Sequence, residues 1–318
     1  MAYGPVPVPE RRVVVVLGMH RSGTSVLASV LQALGISLGD RLVPADGNNP
    51  AGYFEHTEIV RLHREFVDRM DRRWTGPKGT LPYPDRYWET EDGHATQAEL
   101  RGLVQTELAH TSTIWGVKDP RMSRLVMLWR PIFEALAVRP IYVLAVRNPA
   151  SVQGSVTKRD GLSPSRAQLL WLLHNLDSVR DTWRDGISVF DYDGWFSAPR
   201  EHARRLQSLL GEAAGADSAK LTTEVERLIQ QGLRHNHGTL EHAIPFVEET
   251  YAELLAATTS GRLSPRLLEI ESELRRSTQV LDAWREVVEG TSAQAAEVTR
   301  QRGRRLAVWR ADRRNGPD

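Results

Sequence analysis

The sequence predicts an α/β domain, a parallel sheet flanked by helices, followed by a helical C-terminal extension. Three observations carry that expectation. Apolar, β-branched runs alternate with amphipathic helical periods, the pattern of a sheet covered on both faces. Each run closes on a glycine or a charged residue (Gly18, Lys118, Arg147 and Asp191), and ligands of such sheets sit beyond the carboxyl ends of the strands. After about residue 236 the strand pattern stops and only helical periods remain. The expected boundaries are a loose segment over 1–11, a sheet domain over 12–236 and the extension over 237–318.

The elements follow in order. Pro5, Pro7 and Pro9 keep the first residues extended. Val13 to Leu17 is wholly apolar and β-branched except for its last residue, which predicts a strand buried on both faces. Val26, Leu27, Val30, Leu31 and Leu34 recur at helical spacing, and Gly35 closes that helix. Residues 57–73 predict a helix with Ile59, Leu62, Phe66 and Met70 on one face. Residues 74–94, rich in Pro, Gly, Trp and Tyr, read as a long ordered loop of the kind that covers a site. A helix near 95–110 leads to a strand over Thr113 to Val117, and a further helix to a strand over Pro140 to Val146. Helices near 150–159 and 164–184 precede a last strand over Ile187 to Tyr192. In the extension, Leu267, Ile270, Leu274, Leu281, Trp284 and Val288 keep a 3-4 spacing, interrupted at Ser277. That seam either pairs two copies of the chain as a coiled coil or packs a helix on its own domain.

Composition excludes several classes. The 318 residues hold 41 Lys+Arg against 40 Asp+Glu, a net charge of +1, which gives no global attraction to nucleic acid or anionic membrane. Residues 300–314 are the exception, a local basic tail with seven arginines. The absence of cysteine removes disulfides, thiol nucleophiles and thiolate metal sites. His235 and His237, two apart, and His56 and His63, seven apart, make no convincing metal cluster, so no metal is expected. No apolar stretch approaches the ~20 residues of a membrane span, and the first residues lack the basic start and apolar core of a secretory signal. A cytoplasmic location is the expectation.

The first strand runs into Gly18-Met19-His20-Arg21-Ser22-Gly23-Thr24-Ser25 and then a helix. Gly18 and Gly23 match the phosphate-loop pattern G-x-x-x-x-G-K-[ST] up to its lysine, which is replaced by Thr24. Backbone amides at a helix N-terminus still make an anion cradle, with Arg21 the obvious source of charge.

The run Leu17 to Ser25 (LGMHRSGTS) resembles the sulfate-donor loop of bacterial sulfotransferases that use 3′-phosphoadenosine 5′-phosphosulfate. Val143 to Ser155 (VLAVRNPASVQGS) is similar to the 3′-phosphate clamp of that family, and Ser188 to Trp195 (SVFDYDGW) to a later strand and turn. The similarity spans roughly residues 12–212. It implies a P-loop NTPase-like fold and a donor site in which Arg21 and the amides of Ser22, Gly23, Thr24 and Ser25 hold the 5′-phosphosulfate. Arg147 would pair with the 3′-phosphate through its planar guanidinium, and Ser155 would add a hydroxyl.

Sulfuryl transfer needs in-line geometry, a stabilised leaving group and a base at the acceptor hydroxyl. The turn-rich Asn48 to His56 places a glutamate beside a histidine, and Glu55 is the favoured base, with His56 and His20 behind it. A first-turn carboxylate stabilised by the helix dipole is the alternative for Glu55. Lys118, at a strand end, is positioned to neutralise the bridging oxygen or to bind the acceptor; the alternative is a structural ion pair with Asp119. Trp74, Tyr83, Tyr87 and Trp88 either stack on an acceptor or anchor their loop. The expected function is transfer of a sulfuryl group to a hydroxyl, less readily an amine, of a carbohydrate or secondary metabolite. A small molecule or glycan is thus the partner, with no specific nucleic acid. A P-loop kinase or NTPase, and a non-catalytic coiled-coil interaction protein, are the rival readings.

Overall fold

A computed structural model describes residues 11–278 except 48, 51, 77, 112–113, 212–217, 231–239 and 241. The sheet has four parallel strands: β1 (Arg12–Leu17), β2 (Ile114–Lys118), β3 (Arg139–Val146) and β4 (Ile187–Asp191). Their spatial order is β2-β1-β3-β4, with Val15 beside Val117 on one side and Tyr142 on the other. β1 is central, which is why its valines are fully buried on both faces.

Helix α1 (Thr24–Ala33) follows the first loop, and α2 (Thr57–Arg69) and α3 (Glu91–Ala109) precede β2. The chain then runs through α4 (Val126–Ala135), α5 (Pro149–Asp160), α6 (Pro164–Thr182), α7 (Gly194–Ser197) and α8 (Pro199–Leu210). It continues through α9 (Ser218–Gln230) and α10 (Val247–Ser260). Val14, Val16, Val143 and Ala145 point to the side covered by α1, α8 and α9, in a core with Leu27, Leu31, Leu206 and Val225. Alternation along the strands sends Val13, Val15 and Leu17 to the opposite face, where α4 and α6 lie against β3.

Three boundaries differ from expectation by more than two residues. The helix expected near 95–110 starts at Glu91, because Thr90 caps it by accepting from the Gly93 amide at 3.0 Å. The loop before it contains a 3₁₀ turn at Tyr87–Glu89 and ends at Thr90 rather than at 94. α2 stops at Arg69, since Met70 and Asp71 close it and Asp71 takes positive φ.

Contact density divides the chain into Met1–Glu271 and Ser272–Asp318. α10 packs on β4, α5 and α6, and Leu267 and Ile270 are fully buried, so these residues of the expected 237–318 extension belong to the sheet unit. Residues 266–278 are helical. Leu281, Trp284 and Val288 of the seam, the basic tail, Thr113, His235 and His237 lie outside the described residues. Among the described residues no helix is long and apolar enough to cross a membrane.

Candidate functional site

The connection leaving β1 leads to β2 on one side, and that leaving β3 leads to β4 on the other. Between two adjacent strands whose connections diverge, a crevice opens at the carboxyl edge. The loop after β1 and the turn after β3 flank it.

Gly18 begins the first of these at φ 135, with its amide donating to Ser123 Oγ at 2.7 Å. A Cβ here would meet the Ala145 carbonyl at 2.5 Å, so only glycine lets β1 turn this tightly against β3. Arg21 and Gly23 also take positive φ, which curls 19–24 into a cradle at the N-terminus of α1. Ser22 is fully buried, and its Oγ has no hydrogen-bond partner among the described residues.

Arg21 reaches across the crevice: its Nε donates to Ser155 Oγ on α5 at 2.7 Å. Arg147, immediately after β3, donates from Nη1 to the Arg21 carbonyl at 3.2 Å. Its guanidinium lies 4.1 Å from the ring centroid of Tyr192, which follows β4. Three residues expected at one site from separate segments are thus brought together. Burial, and then the charges of Arg159 and Arg147, push the Arg21 pKa down. Desolvation is the larger of these causes, and the two neighbouring guanidiniums add to it. Arg159, one turn beyond Ser155 on α5, was missed in the sequence, although the i, i+4 spacing puts it on Ser155's face. Lys158, between them, is exposed.

Thr24 is buried and Ser25 half-buried at the start of α1. Ser25 Oγ accepts from Asn49 Nδ2 at 3.2 Å, which ties the 46–55 segment to the loop. The far end of that segment is held by Lys118, whose Nζ donates to the Tyr53 carbonyl at 2.9 Å and to Glu55 Oε1 at 2.6 Å. Two of the three residues expected to act in catalysis, Glu55 and Lys118, therefore meet, but against each other, while Arg21 lies in the loop. Both are buried, and burial raises the Glu55 pKa while Lys118 opposes the rise. His56 turns toward α3, with its Nε2 3.4 Å from Glu107 Oε1.

Asp119 does not pair with Lys118. Its Oδ1 accepts from the amide and Nη1 of Arg121, at 2.9 and 2.8 Å, and its Oδ2 lies 2.9 Å from His63 Nδ1. His63 Nε2 accepts from the Trp129 indole at 2.8 Å, so its proton resides on Nδ1 and is donated to Asp119. These interactions outweigh burial and hold the Asp119 carboxyl well below the usual carboxylate range.

His20, in the loop itself, stacks on Trp74 with ring centroids 4.6 Å apart. It lines a cavity of ≈ 220 Å³ together with Trp74, Tyr83, Arg121 and His174. Burial, reinforced by Arg121 and Arg159, pushes its pKa far down, so the imidazole is neutral at pH 7. His174 likewise drops to about 4 through burial and the Arg124 charge. The aromatic loop divides in two: Tyr83 and Tyr87 are buried anchors, while Trp74 faces the site. Arg124, fully in the interior, fixes this loop by donating to the Gly79 and Leu81 carbonyls at 2.9 and 2.7 Å while paired with Asp177. Among the described residues no group of three His, Asp or Glu is placed to hold a metal ion.

No family model and no curated protein matches the chain. Among solved structures it is similar to sulfotransferase STF9 from Mycobacterium avium, at 17% identity and TM-score 0.45, over 81% of this chain and 78% of that one. It is also similar to the sulfotransferase domain of the Synechococcus PCC 7002 olefin synthase, at 16% identity and TM-score 0.44, over 80% of this chain and 98% of that one.

Proposed function

We propose that this chain is a sulfotransferase that moves a sulfuryl group from 3′-phosphoadenosine 5′-phosphosulfate to a hydroxyl, without a metal. The acceptor class is a carbohydrate or secondary metabolite, with an amine the lesser alternative. The observation that supports this best is the linked trio Arg147, Arg21 and Ser155, which spans the crevice between β1 and β3. A P-loop lysine is one charge on a flexible stem. Two guanidiniums with a nearby third instead offer planar, multidentate recognition to a ligand with two separate phosphate groups. The curled loop and the orphaned Ser22 hydroxyl fit an oxyanion beside them.

In this reading the amides of residues 22–25 and Arg21 hold the 5′ side, while Arg147 and Ser155 hold the 3′-phosphate. Of the three base candidates, His20 lines the cavity next to the loop, whereas Glu55 is locked to Lys118 and His56 faces α3. His20 takes the hydroxyl proton as the new oxygen–sulfur bond forms. Arg21 and the loop amides stabilise the electron pair that returns to the phosphate oxygen when the old bond breaks. Lys118 and Glu55 keep the 46–55 segment over the loop.

Calorimetry with 3′-phosphoadenosine 5′-phosphate tests the donor site. Arg147→Ala should weaken that ligand by roughly 2 to 5 kcal/mol, the range for truncating one member of a charge pair. It should leave 5′-AMP almost unaffected, and equal losses for both ligands would remove Arg147 from the clamp. The base is tested by single-turnover transfer. His20→Gln should slow it by about 10² to 10⁴ with bisphosphate affinity retained, and Glu55→Gln should slow it far less. The reverse ranking returns the role to Glu55.

A further inference from the structure

The cavity beside His20 carries an unusual set of charges. Arg64, Arg73, Arg121 and Arg124 line it, against the single carboxylate of Asp68. Two of these guanidiniums are already satisfied. Arg73 is held by both oxygens of Asp68 at 2.7 and 2.6 Å, and Arg124 by Asp177 and two loop carbonyls. The other two keep donor capacity. Among the described residues Arg121 is bonded through its main-chain amide and Nη1 alone, both to Asp119, and its side chain is only 18% exposed. Among the described residues Arg64, at the exposed rim, has no carboxylate partner within salt-bridge distance.

A guanidinium has five N–H donors in a fixed fork, and in a partly dry site an anionic oxygen satisfies them far better than a hydroxyl does. Arg121 is also rigid. Asp119 grips its amide and its guanidinium with the same oxygen, and His63 and Trp129 hold Asp119 from behind. Such a chain fixes where a charged group of a ligand must sit. The two histidines of the cavity add no positive charge at neutral pH. His174 donates from Nδ1 to the Leu170 carbonyl at 2.7 Å, so its Nε2 is an acceptor suited to a hydroxyl.

We propose that this cavity is the acceptor pocket and that it selects a hydroxyl compound bearing its own negative charge, a carboxylate or a phosphate ester, bound by Arg121 and Arg64. This rests on the sulfuryl-transfer reading above. The anionic group anchors the acceptor at the arginines and leaves the hydroxyl free to reach His20. The new bond joins that hydroxyl oxygen to sulfur, the proton passes to His20, and the bisphosphate leaves with the electron pair.

Binding to protein saturated with 3′-phosphoadenosine 5′-phosphate tests the assignment without needing turnover. The probes are matched: glucose, glucuronate and glucose 6-phosphate, and 4-hydroxybenzyl alcohol, 4-hydroxyphenylacetate and 4-hydroxyphenyl phosphate. Charged members should bind about tenfold or more tightly than their neutral partner, with a gap that narrows as salt rises. The carboxylate and phosphate arms show which anion the pocket prefers. Arg121→Gln should shrink the gap most and Arg64→Gln measurably. Should Arg121→Gln not fold, Arg64→Gln at the rim carries the test. Neutral probes binding as tightly as charged ones, or no charged probe binding at all, would overturn the anionic-acceptor assignment while the bound bisphosphate keeps the donor site standing. Failure of the bisphosphate itself to bind would instead remove the transfer reading.

Discussion

Gly23 shows how one position controls the donor side of the site. It sits at φ 91, where a side chain is strained, and a Cβ there would run into the Tyr192 ring. Tyr192 carries Arg147 on its face, so the space left by glycine is what lets the β4 end support the β3 arginine. Gly23→Ala should therefore act twice. Backbone strain should lower stability by about 1 to 3 kcal/mol, read from urea melts. Displacement of Tyr192 should also weaken the bisphosphate roughly tenfold or more while 5′-AMP loses less. A variant that loses stability yet binds both ligands as before would break the link from Gly23 through Tyr192 to Arg147. Little of this pairing is written in local sequence. The glycine pattern and Arg21 stand out because they lie between a strand end and a helix start, whereas Arg147 and Ser155 are singled out by the family resemblance. Tyr192 under Arg147, Glu55 on Lys118, and His63 with Trp129 on Asp119 join residues 45 to 66 positions apart, where periodicity carries no information.

At the scale of the element, α6 is buried along most of its length and holds two titrating groups of opposite sense. His174 has its pKa lowered to about 4, and Asp181 has its own raised to about 6, in both cases chiefly by burial. Between pH 6.5 and 4 the unfolded chain protonates its histidine while native His174 stays neutral, so stability falls as pH falls. The shift corresponds to a loss of up to about 3 kcal/mol by pH 4. Asp181 works the other way: below pH 6 the native carboxyl binds a proton before the unfolded one does, which favours the fold. Lowered His20 adds to the loss. Denaturant melts at pH 7, 5.5 and 4.5 should show His174→Asn flattening the acid-side decline and Asp181→Asn steepening it. Identical slopes in wild type and both variants would mean that neither group titrates differently on folding. The helix's span was legible from its apolar spacing to within a few residues. Its charge content was not, because a buried Asp or His at i, i+4 reads in sequence like a polar face.

The whole molecule places its site by topology and then covers it. Strand order β2-β1-β3-β4 puts the β1 loop against the β3 turn, and Asn49 and Trp74 reach that loop from two later segments, at Ser25 and His20. The sheet domain was legible because fully apolar strands alternate with helices, whereas its C-terminal limit was not. Loss of the strand pattern marks where strands end, but helices can still complete a core. α10 does so by packing on β4 and on α5 and α6, and the chain returns once more with Leu267 and Ile270, both fully buried. Glu271 then pairs with Arg180 at 2.6 Å. Two such side chains stabilise by about 1.5 to 3 kcal/mol each. A chain ending at residue 260 should thus lose about 3 to 6 kcal/mol relative to one ending at 278, a large part of what a domain has to spare. Urea melts of the chains ending at 260 and 278 read that difference directly. If the 260 truncation melts like the full chain, the 266–271 segment adds nothing to the sheet unit, and the 3-4 seam is free along its whole length to pair with another copy.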